Sequence, residues 1–266
     1  MDIYWLRQTE ADLPVGDQWL SAAEILRLVD LRFPKRRADW RLGRWTAKHA
    51  VGAYLNRPAG APALAEIELR PMPCGAPEVF VCAARTRVSV SLTHRAGVAV
   101  CAVGPPGGAL GCDLEVIEPH SDGFVADYFT AEEQATVAQA PLAERPRLLA
   151  LLWSAKESAL KALHAGLRLD TRSVAVASVG APCPQQTWLP LLVRYNATRR
   201  FHGWWRYEGD LLLTMIAEPR PTPPTLLQAP ERSLSIGNRM LFQPVRIPHG
   251  IDVSQCAASH TAGENP

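Results

Sequence analysis

Three carboxylates and two lysines fall within two short segments of the chain. Gly111-Cys112-Asp113-Leu114-Glu115 supplies two of the acids. Leu151-Leu152-Trp153-Ser154-Ala155-Lys156-Glu157-Ser158-Ala159-Leu160-Lys161 supplies the third, with Lys156 and Lys161. On a strand, Asp113 and Glu115 point to the same face. On a helix, Trp153, Glu157 and Lys161 are each four apart and form one stripe. If strand and helix pack together, three anionic groups meet beside two ammonium groups. That set suits a hard cation such as Mg²⁺, which takes oxygen ligands and is commonly shared with substrate phosphates. The lysines would neutralise the remaining phosphate charge. A plainer reading stands beside this one. Glu157 and Lys161 have the favoured order for a solvated helix pair, and Lys156 can be a solvated helix charge.

The elements that must hold these residues are legible in part. Ser21-Ala22-Ala23-Glu24 reads as a capping box opening a short helix that runs to about Asp30. A longer helix is expected over 36–55, with Trp40, Trp45 and Val51 among its apolar positions, and Pro58, Gly60 and Pro62 end it. Strands are expected from Ile67 and over 78–82, 88–92 and 98–103. Gly104-Pro105-Pro106-Gly107-Gly108 is a turn-rich break and the best boundary between two halves. In the second half a strand is expected over 110–116, a helix capped by Thr130, and a helix over 145–163 closed by Gly166. Strands follow at 174–178, 191–195, 201–207 and 211–217. The expected organisation is thus an N-terminal half, 1–105, a C-terminal half with the acidic residues, 106–218, and a proline-rich tail, 219–266, extended or disordered.

Five segments in this order resemble the signature of the 4′-phosphopantetheinyl transferases, and most closely the larger, pseudo-dimeric branch that modifies carrier proteins of secondary metabolism. They are Arg36–Lys48, Gly75-Ala76-Pro77, Val90-Ser91-Leu92-Thr93-His94, Gly111–Glu115 and Trp153–Lys161. The interval between the last two (153 − 113 = 40) also fits. Two departures are visible. Thr93 stands where that family commonly has serine, with Arg95 after His94, and Cys112 stands where it commonly has isoleucine or valine.

The resemblance implies an α+β fold of two similar α/β halves related by a pseudo-twofold. No sequence repeat between the halves is evident, so the pseudo-twofold rests on the resemblance alone. It also implies a reaction: transfer of 4′-phosphopantetheine from coenzyme A to a serine of an apo acyl or peptidyl carrier protein, releasing 3′,5′-ADP, with Mg²⁺. Asp113, Glu115 and Glu157 match metal ligands. Arg37, Arg44, Gly75, Pro77, His94, Lys156 and Lys161 match residues that hold coenzyme A. Serine needs a base, and Glu157 and Glu133 are both candidates, with Lys161 beside them. Glu133 lies three residues after Thr130, so a capping box also explains it. Structural readings compete elsewhere: His94 as a strand-end histidine, Gly75 and Pro77 as a plain turn, Trp40 and Trp45 as core. Arg37, Arg41, Arg44 and Lys48 share one helix face, which by composition is either a solvated or a phosphate-binding patch.

Composition bounds these readings. A net charge of +2 over 266 residues argues against a dedicated nucleic-acid binder. The 47% hydrophobic content is enough for a packed core. The six cysteines have no metal-site or disulfide-framework spacing, and neither a signal peptide nor a transmembrane run is visible. A cytoplasmic monomer is expected. The competing functions are a metal-dependent phosphohydrolase using the same three acids and, more distantly, a basic module binding nucleic acid through the Arg37–Lys48 face.

Overall fold

The computed structural model describes residues 1–179, 187–196 and 198–228. The helix starts are set by their caps. Ser21 accepts from the Glu24 N–H and opens α1 (Ala22–Asp30). Pro34, at a first-turn position that tolerates its missing N–H, opens α2 (Pro34–Tyr54), two residues before the expected start. After α3 (Ala61–Ala65) come β2 (Ile67–Pro71), β3 (Pro77–Val81) and β4 (Ala84–Arg85), a small antiparallel sheet. The N-terminal strand β1 (Tyr4–Thr9) lies between β6 (Val98–Gly104) and the two-residue β12 (Thr225–Leu226), and β5 (Ser89–Arg95) completes that sheet.

The second sheet runs β7 (Ala109–Val116), β11 (Leu211–Glu218), β10 (Arg199–Glu208), β9 (Leu189–Tyr195) and β8 (Val174–Val179). Between β7 and β8 lie α4 (Asp122–Tyr128), which the sequence reading did not expect, α5 (Ala131–Gln139) and α6 (Arg145–Ala162). The layers follow from strand alternation. Trp5, Val100, Ala102, Cys112, Leu114, Leu213 and Met215 share one core between the two sheets. Their neighbours along each strand face outward, toward α2 on one side and α6 on the other. Residues 219–228 are not loose: Thr222, Thr225 and Leu227 donate to the carbonyls of Met1, Ile3 and Trp5. The rest of the expected tail, 229–266, lies outside the described residues.

One arrangement occurs in both halves. Glu24 Oε2 accepts from the Ser21 N–H at 3.1 Å and faces Lys48 Nζ at 2.5 Å, while Glu24 Oε1 accepts from the Leu69 N–H at 3.3 Å. Glu133 Oε2 accepts from the Thr130 N–H at 2.9 Å and faces Lys156 Nζ at 2.8 Å, while Glu133 Oε1 accepts from the Val176 N–H at 3.0 Å. Lys48 also donates to the Trp19 and Leu64 carbonyls, and Lys156 to those of Thr171 and Val174. Each ammonium lies over an aromatic ring, Trp19 at 5.8 Å and Phe129 at 5.7 Å. The lysines are 0% exposed. A short repeat carries them: Trp45-Thr46-Ala47-Lys48 on α2 and Trp153-Ser154-Ala155-Lys156 on α6, at one spacing (153 − 45 = 108). Four residues with three identities and a Thr/Ser match are too few to stand out by themselves.

Gly111 sets how closely α6 approaches β7. A Cβ at this position would lie 1.8 Å from the Ser158 carbonyl oxygen, a backbone atom that cannot rotate away. Gly111→Ala should therefore push α6 off the sheet and destabilise the fold by about 2 kcal/mol or more, as overpacking does. Thermal unfolding measures this, and a melting temperature equal to that of the wild type would contradict the packing described.

Candidate active site

Two neighbouring strands and one helix assemble the site. On β7 the outward residues are Gly111, Asp113 and Glu115, and α6 covers them with Trp153, Glu157, Ser158 and Lys161. Asp113 is 5% exposed. Its Oδ1 accepts from Lys161 Nζ at 2.6 Å and from the Thr93 hydroxyl at 3.2 Å. Lys161 also donates to the Cys112 carbonyl at 3.0 Å, which fixes the ammonium against β7. Glu115 Oε1 accepts from Trp153 Nε1 at 3.1 Å, and its Oε2 lies 3.5 Å from Arg95 Nε. Glu157 is half-buried on the same stripe as Trp153 and Lys161. Behind them, Ser154, Ser158 and Thr214 form a buried hydroxyl cluster that ties α6 to β11, with Ser158 Oγ and Thr214 Oγ1 2.7 Å apart.

The strand β5 joins this site to the first half without a regular ladder. Ser91 Oγ accepts from the Cys112 N–H at 2.9 Å, and Thr93 Oγ1 accepts from the Leu114 N–H at 3.2 Å while donating to Asp113. Threonine in place of serine at 93 thus keeps a bond that the site uses. Arg95 pairs with Glu115 and with Glu118 at 2.9 Å, so its charge falls on the acids rather than on open solvent.

The acidic cluster is electrostatically costly as it stands. Burial, and then the charge of Asp113, pushes the Glu115 carboxyl up to about 7. The same two causes raise Glu157. Burial opposes the Lys161 charge, but Asp113, Cys112 and Glu157 together hold its pKa above the ordinary value. Two carboxylate oxygens, Asp113 Oδ2 and Glu157 Oε1, are buried with no hydrogen-bond partner. Orphaned acceptors of this kind call for a partner, and an all-oxygen anionic set is the chemistry that a hard cation takes. Asp113, Glu115 and Glu157 therefore fit Mg²⁺. Among the described residues no three His, Cys, Asp or Glu side chains are already gathered in ligating geometry. The Lys161 ammonium holds Asp113 instead.

The other expected residues are placed variously. His94 is the penultimate residue of β5 and lines a groove of about 460 Å³ with Phe33, Lys35, Arg36, Asp39 and Trp40. Desolvation, with Lys161 and Lys35 acting in the same direction and Asp39 against them, keeps its imidazole below the ordinary value. Arg37 is exposed at the start of α2. Arg44 is turned inward: it lies over Trp40 at 5.0 Å, and its Nε is 3.7 Å from Glu24 Oε1. The helix face expected to unite Arg37, Arg41, Arg44 and Lys48 is not a single patch. Arg41 is spent on Asp17 and the Pro14 carbonyl, and Lys48 is buried on Glu24. Arg36 and Lys35, which the sequence reading did not select, are the cations of the groove. The Lys-Arg-Arg run at 35–37 was the available signal. Gly75 adopts a left-handed φ of 90° and closes a turn by donating to the Met72 carbonyl at 2.8 Å, just before Pro77 begins β3. Arg168 ties that turn, at the Cys74 carbonyl, to the segment after α6.

Lys156 and Glu133 are not brought to the acidic cluster. Lys156 was expected to meet phosphate, but its ammonium is enclosed by Glu133 and two carbonyls on the other side of α6. Glu133 was a candidate base, but it is 5% exposed and both its oxygens are occupied by backbone N–H groups and Lys156.

Residues 109–211 match the family model described as the 4′-phosphopantetheinyl transferase superfamily. The matched stretch runs from β7 to the start of β11 and holds Asp113, Glu115, Glu133, Lys156, Glu157 and Lys161. No curated protein matches the chain.

The raised carboxyls have a measurable consequence. A carboxyl whose pKa is higher folded than unfolded stabilises the fold while protonated, and that contribution is lost as pH rises through the folded value. With a chelator present, the melting temperature should fall between pH 5 and pH 8, with Glu115 contributing on the order of 2 kcal/mol. Glu115→Gln should flatten this dependence. A dependence that persists unchanged in the variant would assign it to other groups.

Proposed function

We propose that this protein transfers 4′-phosphopantetheine from coenzyme A to a serine hydroxyl of an apo acyl or peptidyl carrier protein. The observation that carries the reading is the pair of buried, unpartnered oxygens on Asp113 and Glu157, set beside Lys161 within the segment that matches the superfamily. Mg²⁺, when bound by Asp113, Glu115 and Glu157, would neutralise charge developing on the diphosphate. Lys161 stands ready to pair with phosphate oxygens once Asp113 turns to the cation. The groove of Lys35, Arg36, Trp40 and His94 supplies cations and an aromatic wall for the nucleotide end of coenzyme A, with Arg37 exposed beside it. In the reaction the serine oxygen bonds to the β-phosphorus as the bond to the departing 3′,5′-ADP breaks. The serine proton passes to Glu157, a carboxylate whose Oε1 is buried without a hydrogen-bond partner. The carrier's class in secondary metabolism belongs to this proposal as well.

Incubation with coenzyme A, Mg²⁺ and an apo carrier domain tests the reading directly, because the carrier gains one phosphopantetheine in its mass spectrum. Hydrolysis of coenzyme A without carrier modification would favour a phosphohydrolase instead. Asp113→Ala should lower the rate of transfer by about 100-fold or more while leaving the fold intact, as loss of one electrostatic contact to the reacting centre does. Retention of more than about a tenth of the activity at saturating Mg²⁺ would remove Asp113 from that role. Arg36→Ala and Arg37→Ala should weaken coenzyme A more than dephospho-coenzyme A, which lacks the 3′-phosphate. Equal losses with both compounds would separate these residues from that phosphate.

A further inference from the structure

We propose that Glu133 and Lys156 are positioning residues, which through the register of α6 aim Glu157 at Asp113, and that Glu24 and Lys48 are their copy in a first half whose own acidic site is absent. For its kinetic arm the proposal rests on the transferase reading above.

The two clamps match. Each joins a helix-capping glutamate, a mid-helix lysine and the N–H of the third residue of a following strand, with the same glutamate atoms in the same roles. A proton-transfer group is needed only where there is a reaction. A carboxylate in the same bonding pattern where there is none has a different task. The first half is such a place. Lys48 is followed by His49, where Lys156 is followed by Glu157. Tyr54 of α2 meets Tyr4 of β1, so by strand alternation Leu6 and Gln8 are the β1 residues turned toward α2. By sequence offset Trp45 and His49 of α2 correspond to Trp153 and Glu157, and the acidic charge acting on His49 is that of Asp12. The comparison extends to the bonds. Trp153 donates to Glu115, whereas Trp45 Nε1, Gln8 Oε1 and both His49 nitrogens are buried without partners. His49 is kept neutral by burial, which pulls its imidazole down to about 4.

The mechanism of positioning is geometric. Consecutive helix residues are about 100° apart around the axis, so fixing Lys156 toward α5 and β8 fixes Glu157 toward β7. The clamp on Lys156 leaves it no second rotamer, because its ammonium already uses a carboxylate and two carbonyls.

The experiment compares Lys156→Met, Glu133→Gln, the double variant Glu133→Gln/Lys156→Met, and the first-half pair Lys48→Met and Glu24→Gln/Lys48→Met. The readouts are melting temperature, Mn²⁺ affinity by electron paramagnetic resonance, and the pH profile of kcat. Lys156→Met and Lys48→Met should each lower the melting temperature, because each leaves a buried carboxylate without its main partner. Both double variants should recover most of that loss, since no buried charge is left unpaired. Lys156→Met should weaken Mn²⁺ binding and Lys48→Met should not. The second-half double variant should return to within about tenfold of wild-type kcat, with the acidic limb of its pH profile unchanged.

A double variant with restored melting temperature but no transfer, or a Glu133→Gln variant that loses the acidic limb, would make Glu133 a proton-transfer group and overturn the proposal. A double variant no more stable than the singles would overturn it too, as would a Lys48→Met protein of unchanged melting temperature. If the wild-type protein fails to modify any carrier, the transferase reading falls, while the melting and Mn²⁺ series still decide this one.

Discussion

A lysine ammonium taken wholly out of water must have an acceptor for each of its N–H bonds, or its charge becomes too costly to keep. Much of this structure follows from meeting that demand twice. Lys48 and Lys156 sit in the middle of the two long helices, and the groups that satisfy them come from elements distant in sequence. Each clamp therefore ties a capped short helix, a central helix and the strand that follows it. Burial still pulls both ammonium groups below their ordinary values, and the facing glutamates only partly offset it. Such pairs are not an efficient way to gain stability. What they provide is a single allowed register.

Register matters because the site is made at a seam. The two sheets meet where β5 passes β7, and side-chain hydroxyls replace the usual ladder there: Ser91 receives the Cys112 N–H and Thr93 the Leu114 N–H. Asp113 lies between those two contacts, so the first half helps to orient the acid that the second half carries. Gly111 allows the helix backbone to come close enough for Lys161 to reach both Asp113 and the Cys112 carbonyl. Cys112 itself points into the core between the sheets, which is why a residue of that size is accommodated in place of a branched aliphatic.

Most of the strands, the long helices and the spacing of Asp113, Glu115, Glu157 and Lys161 were legible in the sequence because they depend on local periodicity, whereas β1, β4 and β12 were not among the expected strands. Capping boxes at Ser21 and Thr130 were legible for the same reason, since a cap is a short-range signal. The destinations of long polar side chains were not. Lys156 and Lys161 are five apart on one helix and chemically identical, yet one is enclosed by Glu133 and the other faces Asp113. Only the tertiary neighbours separate them. Arg41 and Arg44 were lost from the expected phosphate face in the same way, to Asp17 and Glu24. The return of 219–228 along β1 was hidden because proline-rich sequence reads as tail whether or not it pairs.

The two halves also show how little separates a scaffold from a site. Both present a tryptophan three residues before a buried lysine, on a helix laid against an outward strand face. In the second half that face offers Asp113 and Glu115, and the residue after the lysine is Glu157. In the first, the residue after the lysine is His49, whose imidazole burial pulls down and the charge of Asp12 only partly raises. In the second, burial and then the charge of Asp113 push Glu115 up to about 7. The sheet that holds β1 has four strands and the sheet that holds β7 has five, so the same way of burying a lysine against a capping glutamate serves two different sheets.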